Sequence, residues 1–501
     1  MSTSRQLKKK ADKLAAAGKI TEAINAYEEA LRSSPDNPDI LFAIGNLALK
    51  SGMYPIAEQM FRMTCQYRPD SLEAATQLAI ALKEQDRIPE AIEIYQRILE
   101  AKPDHIDTWI NIGVAAQAIG DFSSADIAYR RALELNPRSV AALTNVAELL
   151  SIQGSFEDAL SRLDQAVEIT PDNPFIRYNR GEILLTLGRL SEGWPDLNFG
   201  ERHRPDRQQI FQHGLPRWQG EPLTGKSILI SCEQGIGDQV RFLNAISTVL
   251  EQADRAVIEC DPRLVDTLAR TYPKAEVRAF LCKKQNNRHI FSYDWPVDSL
   301  NFSSTLLNLF EQLCPDLEKL PTQVPLVVDP ELDRQWRQRV AGGSGELKVG
   351  LCWRGGARSL RKKQQYAAIE AWGPILKMNN VRFFSLMYDD CDKEIRQAKS
   401  RFGAEIIVYK ELDYRDDINS LLALTAQMDA VVSAHSAAAS FAGGLGIPTY
   451  MPLTNRLWDM LGTDVMAMTP SMRPVIQTQR GNWKEVMEKI AGLLSKHRQQ
   501  N

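Results

Sequence analysis

The chain has 501 residues, 44% of them apolar and 25% charged, which is enough apolar material for several cores and excludes both a single small domain and wholesale disorder. Sixty Lys and Arg against 63 Asp and Glu leave a formal charge of -3, so bulk attraction to nucleic acid or an anionic membrane is excluded and any anion site must be local. Seven cysteines, Cys65, Cys232, Cys260, Cys282, Cys314, Cys352 and Cys391, are scattered without a CxxC pair; their odd number reads as reduced thiols in a cytoplasmic protein. Met1 to Lys10 is polar and basic with no apolar stretch behind it, so no signal peptide is expected. Leu421 to Met451, the most apolar region, is interrupted by Gln427, Asp429, His435 and Pro448, so no membrane insertion is expected either.

Pro35, Pro69, Pro103, Pro137 and Pro171 stand 34 residues apart, and a fixed period of that length marks a repeat array. Gly18, Gly52, Gly120, Gly154 and Gly188 keep the period, Asp86 replaces the glycine in one turn, and Ala23, Ala57, Ala91, Ala125 and Ala159 follow at a constant offset. Tyr27, Phe61, Tyr95, Tyr129 and Leu163 come four residues after the alanines, so a small and a large side chain share one helical face and should pack small against large. The pattern resembles the tetratricopeptide repeat, whose signature positions are filled by Trp109, Ile112, Gly113, Gly120, Ala125, Tyr129, Ala132 and Pro137. The resemblance covers about residues 4 to 200 and implies an α-solenoid of five clear repeats with a groove for a protein segment. A degraded sixth repeat from about Pro174, carrying Gly193 and Trp194, is expected to cap the array and dock onto the second half of the chain. Asn46, Asn111, Asn145 and Asn179, on the first helices of their pairs, read as a ladder of amides able to bind the backbone of a captured protein acceptor. Solvated or locally bonded asparagine is the alternative.

After Gly200 the rhythm stops, and residues 201–226 read as a linker. Ser227 to Cys232 is a buried strand, followed by the glycine turn Glu233 to Gln239 and a helix through Leu250, then a strand at Ala256 to Cys260 and a helix from Pro262. A second series begins at Lys348 to Trp353, with strands at Val381 to Leu386, Glu405 to Tyr409, Ala430 to Ser433 and Pro448 to Met451. This alternation predicts parallel sheets covered by helices: two doubly wound, Rossmann-like units, residues 227–325 and 326–501, facing a cleft at the carboxyl ends of their strands, behind an array over residues 1–200.

Three segments fall at those strand ends. Gly235-Ile-Gly-Asp238 lets the backbone approach a ligand, with Asp238 either a helix cap or a catalytic carboxylate. Trp353-Arg-Gly-Gly-Ala-Arg-Ser-Leu-Arg-Lys-Lys363 holds five cations and no acid, which suits a diphosphate or sugar carboxylate unless it is only a solvated basic loop. Ser433 to Pro448 reads as strand, turn, small-residue helix, turn and strand; the amides of Ser436 and Ala437 open the helix as an anion site, and His435 stands just before it.

In order and spacing these motifs, with Phe384-Ser-Leu386, Asp413 to Asp417 and Ser471-Met-Arg-Pro474, resemble the heptosyltransferase-like glycosyltransferases of GT-B architecture, and bacterial members fused to tetratricopeptide arrays in particular. The resemblance implies a metal-independent protein O-glycosyltransferase with no cofactor beyond its nucleotide-sugar substrate. Asp238 would be its base, with donor contacts from Gly235, Gly237, Trp353, Arg354, Arg358, Arg361, His435, Ser436 and Ala437. The family usually has Asp where this chain has His435 and His where it has Ser440, which together with the arginines points to an acidic sugar such as a nonulosonic acid on a CMP donor, transferred to flagellin held in the array. Two further readings stay open: a transferase acting on a glycolipid or polysaccharide, and a scaffold whose transferase half has decayed.

Overall fold

The computed structural model describes residues 3–205, 208–285, 288–343, 345–356 and 365–500. They form two compact units, one of residues 1–151 with 161–170 and one of residues 152–160 with 171–501.

The amino-terminal region is a succession of helical hairpins, beginning Thr3–Ala16 with Ile20–Ser33 and Pro38–Lys50 with Tyr54–Tyr67. The repeated residues explain the repeated geometry. Asn37, Ser71 and Asp121 cap helix starts by accepting the backbone N–H two or three residues on, satisfying donors the helix cannot. The turn glycines Gly18, Gly52 and Gly120 have φ of 73°, 73° and 84°, and Asp86 takes φ 62° at the equivalent place. Ala23, Ala57, Ala91 and Ala125 are fully buried, as is the large residue following each. Within a hairpin the small-on-large fit is tight: a Cβ on Gly45 would stand 2.5 Å from Phe61 Cε1 and one on Gly113 2.3 Å from Tyr129 Cε1.

The second unit carries its own hairpin, Pro174–Thr186 with Leu190–His203, and a mixed α/β body. Strands β1 (Gln209–Phe211), β2 (Ser227–Ser231), β3 (Arg255–Cys260), β4 (Glu276–Ala279), β5 (Leu281–Gln285), β6 (Arg288–Ser292) and β7 (Phe302–Thr305) precede β8 (Leu347–Cys352), β9 (Val381–Ser385), β10 (Ile406–Ile407), β11 (Ala430–Ser433), β12 (Thr449–Leu453) and β13 (Met472–Ile476). A parallel sheet has the order β4-β3-β2-β7, a larger parallel sheet the order β10-β9-β8-β11-β12-β13, and a small mixed sheet the order β1-β6-β5. Both parallel sheets have buried, apolar central strands, as helix-covered sheets require.

The hairpin is tied to this body. Trp194, 1% exposed, sets its ring 5.3 Å from Phe310 in a tilted contact and 6.1 Å edge-on from Trp458, and its indole N–H donates to the Cys314 carbonyl at 2.9 Å. One apolar core runs from Leu185 and Trp194 through Ile228 and Ile230 of β2 to Leu351 of β8. The aromatic at a position where the repeat favours a small residue is therefore an anchor to the α/β body.

Candidate functional site

The turn after β2, Gly235 to Asp238, runs into the helix Ile236–Arg241, which lies against the helix Ala437–Gly444 that follows β11. A Cβ on Gly237 would stand 2.9 Å from Ala437 Cα and 3.3 Å from Ser440 Oγ, and one on Gly444 2.7 Å from Val240 Cγ1. Gly237 and Gly444 are thus set by the close approach of two helices, whereas a Cβ on Gly235 would meet only Asp238 Oδ2, at 3.3 Å. After β8, Gly355 and Gly356 meet two tyrosines. A Cβ there would stand 2.8 Å from the Tyr366 hydroxyl and 2.9 Å from the Tyr388 hydroxyl, and the Gly356 N–H donates to Tyr388. Burial raises both phenols above their ordinary range, keeping them neutral hydroxyls. These elements, with His435, Ser436 and Ala437, border a cavity of about 360 Å³, the size of a small-molecule pocket.

Its electrostatics centre on Arg241. The guanidinium is buried and donates through Nη2 to Asp238 and through Nη1 to Asp459, with the His435 Nε2 against the same Nη1. Asp459 is 1% exposed and its Oδ2 lies 3.5 Å from His435 Nε2. Burial pushes the Asp459 carboxyl up, but Arg241 and His435 outweigh it and hold the group below the usual carboxylate range. Burial likewise opposes the charge on Arg241, and Asp459 and Asp238 restore it. Arg241 Nε and Asp459 Oδ1 are buried without a hydrogen-bond partner among the described residues. A buried charge set of this kind is held by mutual compensation.

Asp238, Gly235, Gly237, His435, Ser436 and Ala437 border this one cavity. Trp353 is buried with its indole N–H unpartnered among the described residues, and it is not on the cavity wall. Arg354 is engaged elsewhere: Nε donates to Glu394 at 2.9 Å, Nη2 to the Asp390 carbonyl at 2.7 Å, and Nη1 lies 3.4 Å from Asp389. The basic loop has no acid of its own, but later segments supply them. Arg358 and Arg361 lie outside the described residues. Arg241 and Asp459 escaped the sequence reading. Arg241 had one signal, its place three residues after Asp238 on a helix; Asp459 had none. Among the described residues no group of three or more His, Cys, Asp and Glu could hold a metal ion, and no helix is long and apolar enough to cross a membrane.

In the array, Asn111, Asn145 and Asn179 share one position at the 34-residue period. Asn46 does not: it falls three residues later in its helix, and the matching upstream residues are Gln77 and Ala43. All four amides are half-buried and make no protein hydrogen bond among the described residues.

Comparison with known proteins bears on both halves. The TPR repeat family matches residues 11–52 and 149–188, and the tetratricopeptide repeat family matches residues 70–138. Protein FlbA of Caulobacter vibrioides is 30% identical over 490 residues, covering 95% of this chain and 82% of that protein. Among solved structures, a thermophilic TPR protein of Thermus thermophilus is 20% identical, with a TM-score of 0.32 over 36% of this chain and 100% of its own. PilW, a widely conserved type IV pilus biogenesis factor, is 18% identical, with a TM-score of 0.36 over 41% of this chain and 95% of its own. The similarity to FlbA runs through the α/β half as well as the array. It corrects the resemblance to heptosyltransferase-like GT-B glycosyltransferases, and with it the expected enzymatic activity and the flagellin-modifying transferase. The physical reason is visible in the cleft, where Gly237 answers to helix packing and the carboxylate read as a base is held in an ion pair. Motif order reported a kind of fold, and a fold does not fix a reaction.

Proposed function

The chain belongs to the family of the FlbA protein, and from that membership we propose that it is a binding scaffold, in which the tetratricopeptide array captures an extended segment of a partner protein and the α/β half does no group transfer. Tetratricopeptide arrays are protein-protein binding modules. In this reading the two parallel sheets are doubly wound units facing the cleft around Asp238, and the cleft is a structural junction. The observation that carries it is the charge cluster there: Asp238 is engaged by a buried guanidinium that Asp459 and His435 also share, so its carboxylate is committed to an ion pair, which weakens it as a base for an incoming hydroxyl. Within the array, Asn111 and Asn145 offer paired donors and acceptors with no protein partner among the described residues, which suits the backbone of a segment of any sequence.

The test uses the full chain in bacterial cells that lack their own copy, with a photo-crosslinking residue beside Asn145 to read partner capture. Asp238→Asn should leave both crosslinking and cellular function at the wild-type level. The double substitution Asn111→Ala, Asn145→Ala should lower crosslinking roughly tenfold, as loss of two hydrogen-bonding groups implies. Loss of function in Asp238→Asn with partner capture intact would place the chemistry back in the cleft and overturn the scaffold reading.

A further inference from the structure

A second cavity, of about 390 Å³, lies in the same unit between the helix Leu190–His203, β1 and the ends of β2 and β7. No part of the scaffold reading uses it. Two opposite charges face this cavity without meeting. Glu233, just past the end of β2, accepts from the Leu306 N–H at 3.3 Å and from the Gln234 side-chain amide at 3.1 Å. No cation pairs with it within 4.0 Å among the described residues. Arg217 donates through Nε to Asn308 Oδ1 at 2.5 Å and through Nη2 to Glu311 Oε2 at 3.0 Å, which leaves Nη1 without a protein partner among the described residues. Between them β1 supplies an aromatic wall, with the Phe211 ring stacked 4.8 Å from Phe291 and 6.0 Å from His213.

Among the described residues Glu233 stands without a cation, which is costly at the edge of a low-dielectric pocket, and Arg217, although paired with Glu311, keeps Nη1 for a further acceptor; a ligand bearing only one charge would use one of these groups and leave the other. A ligand with an ammonium and a carboxylate satisfies both. We propose that this cavity binds a free α-amino acid, with its ammonium on Glu233, its carboxylate on Arg217 and its side chain against Phe211.

The site has a pH signature. Burial, with Glu201 adding to it, pushes the Glu233 carboxyl up to about 7. The ammonium needs the ionised carboxylate, so binding is fully developed above that value and weakens as pH falls through it. The other charged or titratable groups around Glu233 are the adjacent Cys232 thiol, which burial keeps protonated, Glu201, Arg202 and His203 from the Leu190–His203 helix, His213 and Arg217 from the segment around β1, and Glu311 beyond Arg217. Burial lowers His213 below its ordinary value, which favours its neutral form.

The experiment is isothermal titration of the full chain with each standard amino acid at pH 8 and pH 6, followed by the decarboxylated amine and the N-acetylated form of whichever binds. One amino acid, or a group of similar ones, should bind saturably, more weakly at pH 6, and more tightly than either analogue. Glu233→Gln keeps an acceptor for the Leu306 N–H, so it should fold while weakening binding roughly tenfold or more and erasing the pH dependence. Phe211→Ala, at the wall, should weaken binding and keep the pH dependence. The proposal is overturned if no amino acid gives saturable heat at millimolar concentration, if the amine binds as tightly as the amino acid, or if Glu233→Gln binds unchanged. The Asn111→Ala, Asn145→Ala chain should bind the amino acid normally, so failure here and failure of the scaffold reading are separate results.

Discussion

The array and the α/β half hold themselves together by contacts of very different reach. Gly45 meets Phe61 and Gly113 meets Tyr129, each pair sixteen residues apart in one hairpin. In the second unit the deciding contacts join distant segments: the Trp194 indole meets the Cys314 carbonyl 120 residues on, and Arg241 meets Asp459 218 residues on. Local contacts repeat with the sequence, so a loss in one hairpin is one increment among several. Long-range contacts in a body built around one large core with smaller clusters beside it are singular, and losing one is felt beyond its own segment.

Trp194→Ala should therefore break the second unit hardest. It removes a fully buried indole from between Phe310 and Trp458 together with its hydrogen bond, an expected loss of about 4–5 kcal/mol from cavity and unmade bond together. Urea unfolding followed by hydrogen exchange on the helix Leu306–Leu313 reads this directly. Tyr129→Phe in the array, which removes only a hydroxyl bonded to Gln117 at 3.2 Å, is the comparison and should cost about 1 kcal/mol.

Next in size is the charge cluster. Asp459→Ala leaves Arg241 buried with only the partly exposed Asp238 and His435 beside it, an expected cost of about 3 kcal/mol. Replacing both partners, Arg241→Met with Asp459→Leu, should recover most of that loss, because the penalty comes from an uncompensated charge and not from the absent pair. A double substitution as damaging as Asp459→Ala alone would mean that the cluster has a role beyond its own charge balance. Thermal unfolding at matched ionic strength distinguishes the two.

The same contrast in reach decides what could be read in the sequence. The hairpins, their turns and the docking role of Trp194 were legible because the period exposes each departure from it. The central strands β2, β3, β8, β9 and β11 were legible as short apolar runs. Strands β5 and β6 were not, since Leu281 to Gln285 is largely exposed and carries Lys283 and Lys284, and β6, although Phe291 is buried, is short and opens on Arg288 and His289. In the cleft, strand-to-helix turns marked where Asp238, His435 and Ser436 converge, because that geometry follows from the parallel sheet. What lies between them was illegible: Asp459 sits in a short turn without a motif, and nothing near Arg354 in sequence announces Glu394 and Asp389. Gly237 shows the limit most clearly, since a glycine needed for Ala437 to come close looks the same in sequence as a glycine needed for a ligand.

The smallest expected effect is in the array and would sharpen the contrast from the other side. Among the described residues Asp86 is the one array turn residue that adopts a positive φ, 62°, without being glycine. It is exposed, and its side chain makes no hydrogen bond among the described residues, so nothing compensates for the left-handed backbone. Its N–H bonds the Lys83 carbonyl at 3.0 Å, as the Gly120 N–H bonds Gln117 at 3.1 Å, so Asp86→Gly keeps the turn's backbone bonds. The strain relieved, less the extra entropy of glycine in the unfolded chain, should stabilise the hairpin by ~0.5–1 kcal/mol. The reverse change, Gly120→Asp, should cost a similar amount. Equal and opposite shifts in urea midpoint would show that the repeat turns are interchangeable units, as contacts confined to one hairpin imply; a stabilisation at one turn without the matching loss at the other would show that neighbouring repeats set the strain at each turn.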